Sequence, residues 1–248
     1  MNELYPMIFK RKSFHLFKNT IPISTAELQA IEARCRMLQP LDGSIRIAVK
    51  IVPEGETTCR RGAQYCLLFY SEEKDHYLEN IGYLGEQLDL FLASMGIGAL
   101  WYGIGRPQAP AQDGLSFVIM MAIAKVPAEL FRKDMFKSKR RPLEELWAGD
   151  YAESIGNIVR FAPSACNTQP WWVEACRDSL RVYRRRPDRR GIMPAALVPY
   201  YNRIDIGIFL LVLELCLAHE CIGFERTLCR LPEEEAGKIA AALYRLYS

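Results

Sequence analysis

The sequence predicts an α+β fold of two similar halves, residues 1–134 and 135–248, each running helix, strand, strand, long helix, strand. Three observations predict it. Segments with helical apolar spacing, such as Leu84, Leu88, Leu92 and Met95, alternate with short apolar runs such as Tyr65 to Tyr70. The same order of elements occurs twice. Residues also match in register: Ile81-Gly82 with Ile206-Gly207, Leu88 with Leu213, Leu92-Ala93 with Leu217-Ala218, and Ile97-Gly98 with Ile222-Gly223. At the front of each half, Phe9-Lys10-Arg11-Lys12 matches Phe136-Lys137-Ser138-Lys139. A duplicated chain of this kind is expected to pack its long helices around a pseudo-two-fold axis.

Taken in order, Met7 to Phe17 is a short arm of alternating cationic and apolar residues. Ser24-Thr25-Ala26-Glu27 is a capping box, and the apolar spacing after it carries a helix to about Leu38. Ile45 to Val52 and Tyr65 to Tyr70 read as strands. A helix from His76 to Met95 stops at Gly96-Ile97-Gly98, and Phe117 to Ala124 is a buried strand. In the second half, Tyr151 to Phe161 reads as a helix, Trp171 to Cys176 and Leu180 to Tyr183 as strands, Ile204 to His219 as a long apolar helix, and Phe224 to Cys229 as a strand.

Composition narrows the functional classes. With 248 residues, half of them hydrophobic, the chain can bury a substantial core and is not disordered. A net charge of +3 does not argue for nucleic acid. The eight cysteines contain no C-x-x-C and the histidines are scattered at 15, 76 and 219, so neither a zinc site nor a dithiol redox pair is expected. Lys10, Arg11 and Lys12 precede no apolar run of signal-peptide type, and charged residues interrupt the apolar stretch from Ile204 to Phe224. The expectation is a cytoplasmic protein with no membrane span.

The chemistry concentrates in the loop Ala162-Pro163-Ser164-Ala165-Cys166-Asn167-Thr168-Gln169-Pro170-Trp171. Asn167 and Gln169 each carry an amide with donors and an acceptor, which suits the edge of a heteroaromatic ring where C=O and N–H alternate. The string P-S-x-x-N-x-Q-P-W closely resembles the flavin-binding loop of the FMN-dependent nitroreductase family. Three further segments resemble it. Arg11, Lys12, Ser13 and Phe17 match an opening motif whose cations and hydroxyl hold the FMN phosphate and ribityl chain, with His15 in place of a basic residue. Met95 to Gly103 resembles the end of the family's core helix and makes Gly103, Ile104 and Gly105 candidates for the chain beside the flavin ring. Lys137 to Glu145 resembles a later K-x-R-x-P-L-E-E segment that also meets the phosphate. Arg140 fits its arginine, while Ser138 stands at the lysine position, so Lys137 or Lys139 must substitute.

The resemblance implies an FMN-binding oxidoreductase that takes reducing equivalents from NAD(P)H and passes them to a nitroaromatic, quinone or similar small acceptor in a ping-pong scheme. Ser164, Asn167 and Gln169 inherit ring or ribityl contacts, and no side chain is required as a nucleophile. Nitroreductases are usually homodimers with FMN at the subunit interface. A fused pseudo-dimer, as in the subgroup this sequence most resembles, can act as a monomer. Only the second half carries N-x-Q-P-W; its counterpart, Leu38-Gln39-Pro40-Leu41-Asp42, has neither Asn nor Trp, which implies one good site and one degenerate site. Two other classes compete. One is a flavin-storing or structural relative, suggested by His15 and the degenerate loop. The other is an RNA-binding module built on the basic clusters, for which no RNA-recognition motif is present; its Arg181, Arg184, Arg185, Arg186, Arg189 and Arg190 equally suit the phosphates of NAD(P)H or a solvated hairpin.

Overall fold

The computed structural model describes residues 2–186, 191–229, 234–235 and 237–247. Arg189 and Arg190, two members of the basic cluster, lie outside the described residues. The chain divides into an N-terminal unit, Pro6–Met135, and a C-terminal unit, Phe136–Ser248 with Met1–Tyr5. The short α1 (Tyr5–Lys10) begins at that boundary in the chain.

In the N-terminal unit, α2 (Thr25–Arg36) starts at the expected capping box: Ser24 Oγ accepts the Glu27 amide and Glu27 Oε2 accepts the Ser24 amide. Then come β1 (Ile47–Pro53), β2 (Tyr65–Ser71), α3 (Tyr77–Ser94), β3 (Ile97–Tyr102), β4 (Ala111–Gln112) and β5 (Leu115–Lys125). The main sheet has the order β1-β2-β5-β3 and every pair is antiparallel, with β4 against β5.

The C-terminal unit holds β6 (Trp147–Ala148), α4 (Glu153–Val159), β7 (Trp171–Cys176), β8 (Ser179–Arg185), α5 (Val198–His219), β9 (Gly223–Leu228), β10 (Glu234–Glu235) and β11 (Lys238–Tyr247). Its four main strands run β7-β8-β11-β9, again antiparallel throughout. The order therefore repeats that of the first sheet, strand for strand. Each unit runs helix, strand, strand, long helix, strand, strand, one strand more than the sequence pattern revealed.

The added strand differs between halves, and each omission has a cause. In the first half, β3 was hidden inside a glycine-rich segment that reads only as a helix stop. Gly96, at φ +73, does end α3, but Gly98 serves packing, since a Cβ there would lie 2.7 Å from the Phe14 ring. In the second half, β11 has an Ala- and Leu-rich sequence without strong strand propensity. Pairing with β8 on one side and β9 on the other outweighs that weak local preference. Helix α5 also starts earlier than the apolar run, because Pro199 is tolerated in a first turn, where its missing N–H costs nothing.

Both long helices are apolar on nearly every face, as expected of core helices. Neither they nor any other described helix is long and apolar enough to cross a membrane. Two of their buried carboxylates hold neighbouring elements. Asp89 on α3 pairs with Arg11 at 3.1 Å and accepts the Trp101 indole N–H at 3.1 Å. Glu214, at the matching position on α5, pairs with Arg226 and accepts the Tyr244 hydroxyl at 2.7 Å. Arg226 is also the register partner of Trp101, so both units anchor the long helix to the following strand through a buried carboxylate. Glu86 is fully buried and neither of its oxygens has a hydrogen-bond partner. Burial, then the neighbouring Asp89, pushes its carboxyl well above the usual range.

Candidate functional site

Two segments of the C-terminal unit form one hydrogen-bonded structure: residues 139–141 and the loop 164–169. The Asn167 side-chain amide donates to the Lys139 carbonyl at 3.2 Å, and the Arg141 amide donates to Gln169 Oε1 at 2.9 Å. Gln169 Nε2 in turn reaches both the carbonyl and Oδ1 of Asn167, each at 3.3 Å, and the Gln169 amide donates to Ser164 Oγ at 3.0 Å. The backbone is unusual here. Cys166, Asn167 and Gln169 have φ of +50, +57 and +50, in the left-handed region. Asn tolerates that region, but Cys and Gln resist it at about 1 kcal/mol each, so surrounding contacts must impose the shape.

Those contacts come from below the loop and beside it. Asp205 Oδ1 accepts the Ala165 amide at 2.9 Å, and the Thr168 hydroxyl lies 3.1 Å from Asn202 Oδ1 and 3.5 Å from Asp205 Oδ2. Burial pushes the Asp205 carboxyl up to about 8, the hydrogen bonds from Ala165 and Thr168 offsetting only part of that effect. On the other side, Arg140 donates to the carbonyls of Phe161 at 3.2 Å and Ala162 at 3.4 Å, and Arg160 donates to the Arg141 carbonyl at 3.0 Å. The Arg160 guanidinium also lies 4.5 Å from the centre of the Phe161 ring. Segment and loop are thus held by two arginines as well as by the amides.

Of the expected site residues, Lys137, Lys139, Arg140, Ser164, Asn167 and Gln169 all fall in this unit. Asn167, Lys137 and Lys139 are exposed, and Arg140 and Ser164 are half-buried. Asn167 uses one donor and one lone pair internally, which leaves its outward amide with one of each for a ligand. Gln169 is different. It is only 4% exposed and spends its amide within the loop, so it braces Asn167.

The other candidates, exposed Ile104 among them, lie in the N-terminal unit. Arg11 is buried and held by Asp89 at 3.1 Å, with Nη2 also 3.3 Å from Ser13 Oγ. Lys12 stands 4.8 Å over the Phe14 ring and His15 is exposed. Ser13 forms a bridge with Ala99 of β3, which lays the arm alongside that strand. Gly103 and Gly105 follow β3. Gly105 is buried, and a Cβ on it would meet the Met120 sulfur at 2.5 Å, which gives that glycine a packing reason. The N-terminal counterpart of the loop is closed by its own unit: Asn80 Oδ1 accepts the Leu41 and Asp42 amides, and Gln87 bonds the amide and carbonyl of Gln39.

A sequence model of the family described as "Putative TM nitroreductase" matches residues 3–217. The chain belongs to this nitroreductase family. Among solved structures, it is similar to one described as a "putative nitroreductase" from Thermotoga maritima, with a TM-score of 0.60 and 18% identity over 98% of this chain and 92% of that one. At that identity the likeness shows a shared nitroreductase-like α+β fold. A nitroreductase family protein from Clostridium difficile matches with a TM-score of 0.45 and 14% identity, over 61% of this chain and 99% of that one. No curated protein gave a significant match.

Within this family member, sequence reasoning missed Asp205, Thr168, Asn202 and Arg160. Asp205 did stand out as a charge interrupting an apolar helix. The signal that could have found its role is the duplication, because Asn80 occupies the same register one residue before the matched Ile-Gly pair.

Proposed function

We propose that this chain is an FMN-dependent oxidoreductase that moves reducing equivalents from NAD(P)H to a small planar acceptor such as a nitroaromatic or quinone, with one flavin site, in the C-terminal unit. The observation that carries this reading is the donor set of the loop. An exposed Asn167 amide, aimed by Gln169 and Ser164, sits one hydrogen bond from a segment bearing Lys137, Lys139 and Arg140. Amide donors and acceptors suit the edge of an isoalloxazine ring, and neighbouring cations suit a phosphate. These residues fit the group. Bound FMN would supply the two-electron chemistry, hydride in from NAD(P)H and out to the acceptor.

The protein's own tasks are then binding and orientation. Asn167 would hold the ring edge, Ser164 the ribityl chain, and Lys137, Lys139 and Arg140 the phosphate. Gln169 keeps Asn167 in its left-handed conformation. In the N-terminal unit, Lys12 and His15 are the accessible members of the arm, whereas Arg11 is committed to Asp89. The closed loop of that unit favours a structural role for it. We further propose that the repeated strand order reflects a duplication at the boundary 134/135, with the halves related by a pseudo-two-fold axis and the chain acting as a cytoplasmic monomer.

Steady-state kinetics on FMN-loaded protein test the activity. With NADH or NADPH varied against a nitroaromatic or quinone, the expected double-reciprocal lines are parallel, as a ping-pong scheme requires. Intersecting lines would reject that order of events, and the absence of any NAD(P)H oxidation would reject the activity.

A further inference from the structure

Asp205 and Asn80 occupy one register of the two long helices, immediately before Ile206-Gly207 and Ile81-Gly82. Both are buried, at 3% and 0% exposure. Asn80 Oδ1 accepts the Leu41 and Asp42 amides at 2.8 and 3.2 Å, in the chain between α2 and β1. Asp205 Oδ1 accepts the Ala165 amide at 2.9 Å, in the chain between α4 and β7. One side chain is an amide and the other an acid, yet each offers an oxygen to the backbone of the loop. The shared feature is the acceptor and not the charge. In the C-terminal unit the anchored loop contains the three left-handed residues Cys166, Asn167 and Gln169, a shape that local preference opposes.

We propose that Asp205 is the positioning residue of the flavin loop: its oxygens fix Ala165 and Thr168 and thereby aim Asn167, as Asn80 fixes the corresponding loop of the N-terminal unit. This rests on the flavin reading above. Asp205 touches no ligand itself. An amide can take its place, since Oδ1 of Asn would still accept the Ala165 N–H. Its Nδ2 would donate to Thr168 Oγ1, whose own proton has Asn202 Oδ1 as acceptor at 3.1 Å.

The test measures amide hydrogen exchange at Ala165 and FMN affinity on the full chain, for wild type, Asp205→Asn, Asp205→Ala and Thr168→Val. Asp205→Asn is expected to keep Ala165 protection and to change FMN affinity by less than about threefold. Asp205→Ala is expected to lose that protection and weaken FMN by about tenfold or more, the scale of one lost buried acceptor. Thr168→Val, which leaves the Ala165 contact in place, is expected to keep protection there while weakening FMN. The proposal is overturned if Asp205→Ala protects Ala165 like wild type, or if Asp205→Asn is as impaired as Asp205→Ala. Should Asp205→Ala fail to fold, wild-type FMN affinity in Thr168→Val overturns it. If the wild-type chain binds no FMN, the flavin reading fails, and exchange at Ala165 still decides the positioning role.

Discussion

Asp205→Asn is expected to be more stable than wild type at pH 8 and to lose that advantage as the pH falls toward 4. The sign follows from the raised carboxyl, which burial holds at about 8 against an ordinary value of 3.8. Below both values Asp205 is protonated folded and unfolded, and its titration contributes nothing. Between them the unfolded chain releases the proton and the folded chain keeps it, so stability falls as pH rises, by up to about 1.36 kcal/mol per pH unit. Above the folded value the loss is complete, on the order of 5 kcal/mol as a ceiling. Asn does not titrate, and at position 205 both of its amide atoms have partners, the Ala165 N–H and Thr168 Oγ1. Urea unfolding at several pH values from 4 to 9 checks this. The gap between variant and wild type should widen with pH, and parallel stability profiles would contradict it.

Gln169→Leu carries the second large effect. The substitution keeps the bulk of a side chain that is 4% exposed but removes its amide. The Arg141 amide then loses its acceptor, and the Asn167 carbonyl and Oδ1 lose their donor. The half-buried Arg141 amide left without its acceptor costs about 1–3 kcal/mol, the exposed Asn167 groups can turn to water, and the left-handed backbone at 167 and 169 loses the contacts that impose it, at about 1 kcal/mol more. The expected result is a loss of about 2–4 kcal/mol of stability in urea unfolding, together with weaker FMN binding. Unchanged stability would show that Gln169 is not the brace of the loop.

Much of the framework was legible in the sequence because its signals are local. The Ser24 capping box, the apolar run at Tyr65 and the helix ending at Gly96 each encode their own structure within a few residues, and all three formed close to the expected bounds. Strands β3 and β11 were not legible, because pairing across the sheet rather than local preference decides them. The site divides in the same way. Asn167 and the nearby cations are written in one contiguous string and its neighbour, so residue type and spacing suffice to single them out. Gln169 shares that string, but its role as a brace depends on Arg141, 28 residues away. Arg11 shows the same difficulty from the other side, for its cation fits a phosphate by type and is taken up by Asp89 across 78 residues of sequence.

FMN binding by the loop 164–169 and its neighbouring cations underlies the proposed activity. The most direct measurement is an absorption spectrum of purified protein after FMN addition and desalting, with Asn167→Ala alongside. A retained flavin spectrum is expected in the wild-type chain, lost or strongly reduced in the variant. Equal retention by both proteins would place the flavin elsewhere, and a colourless wild-type protein would contradict the flavin site altogether.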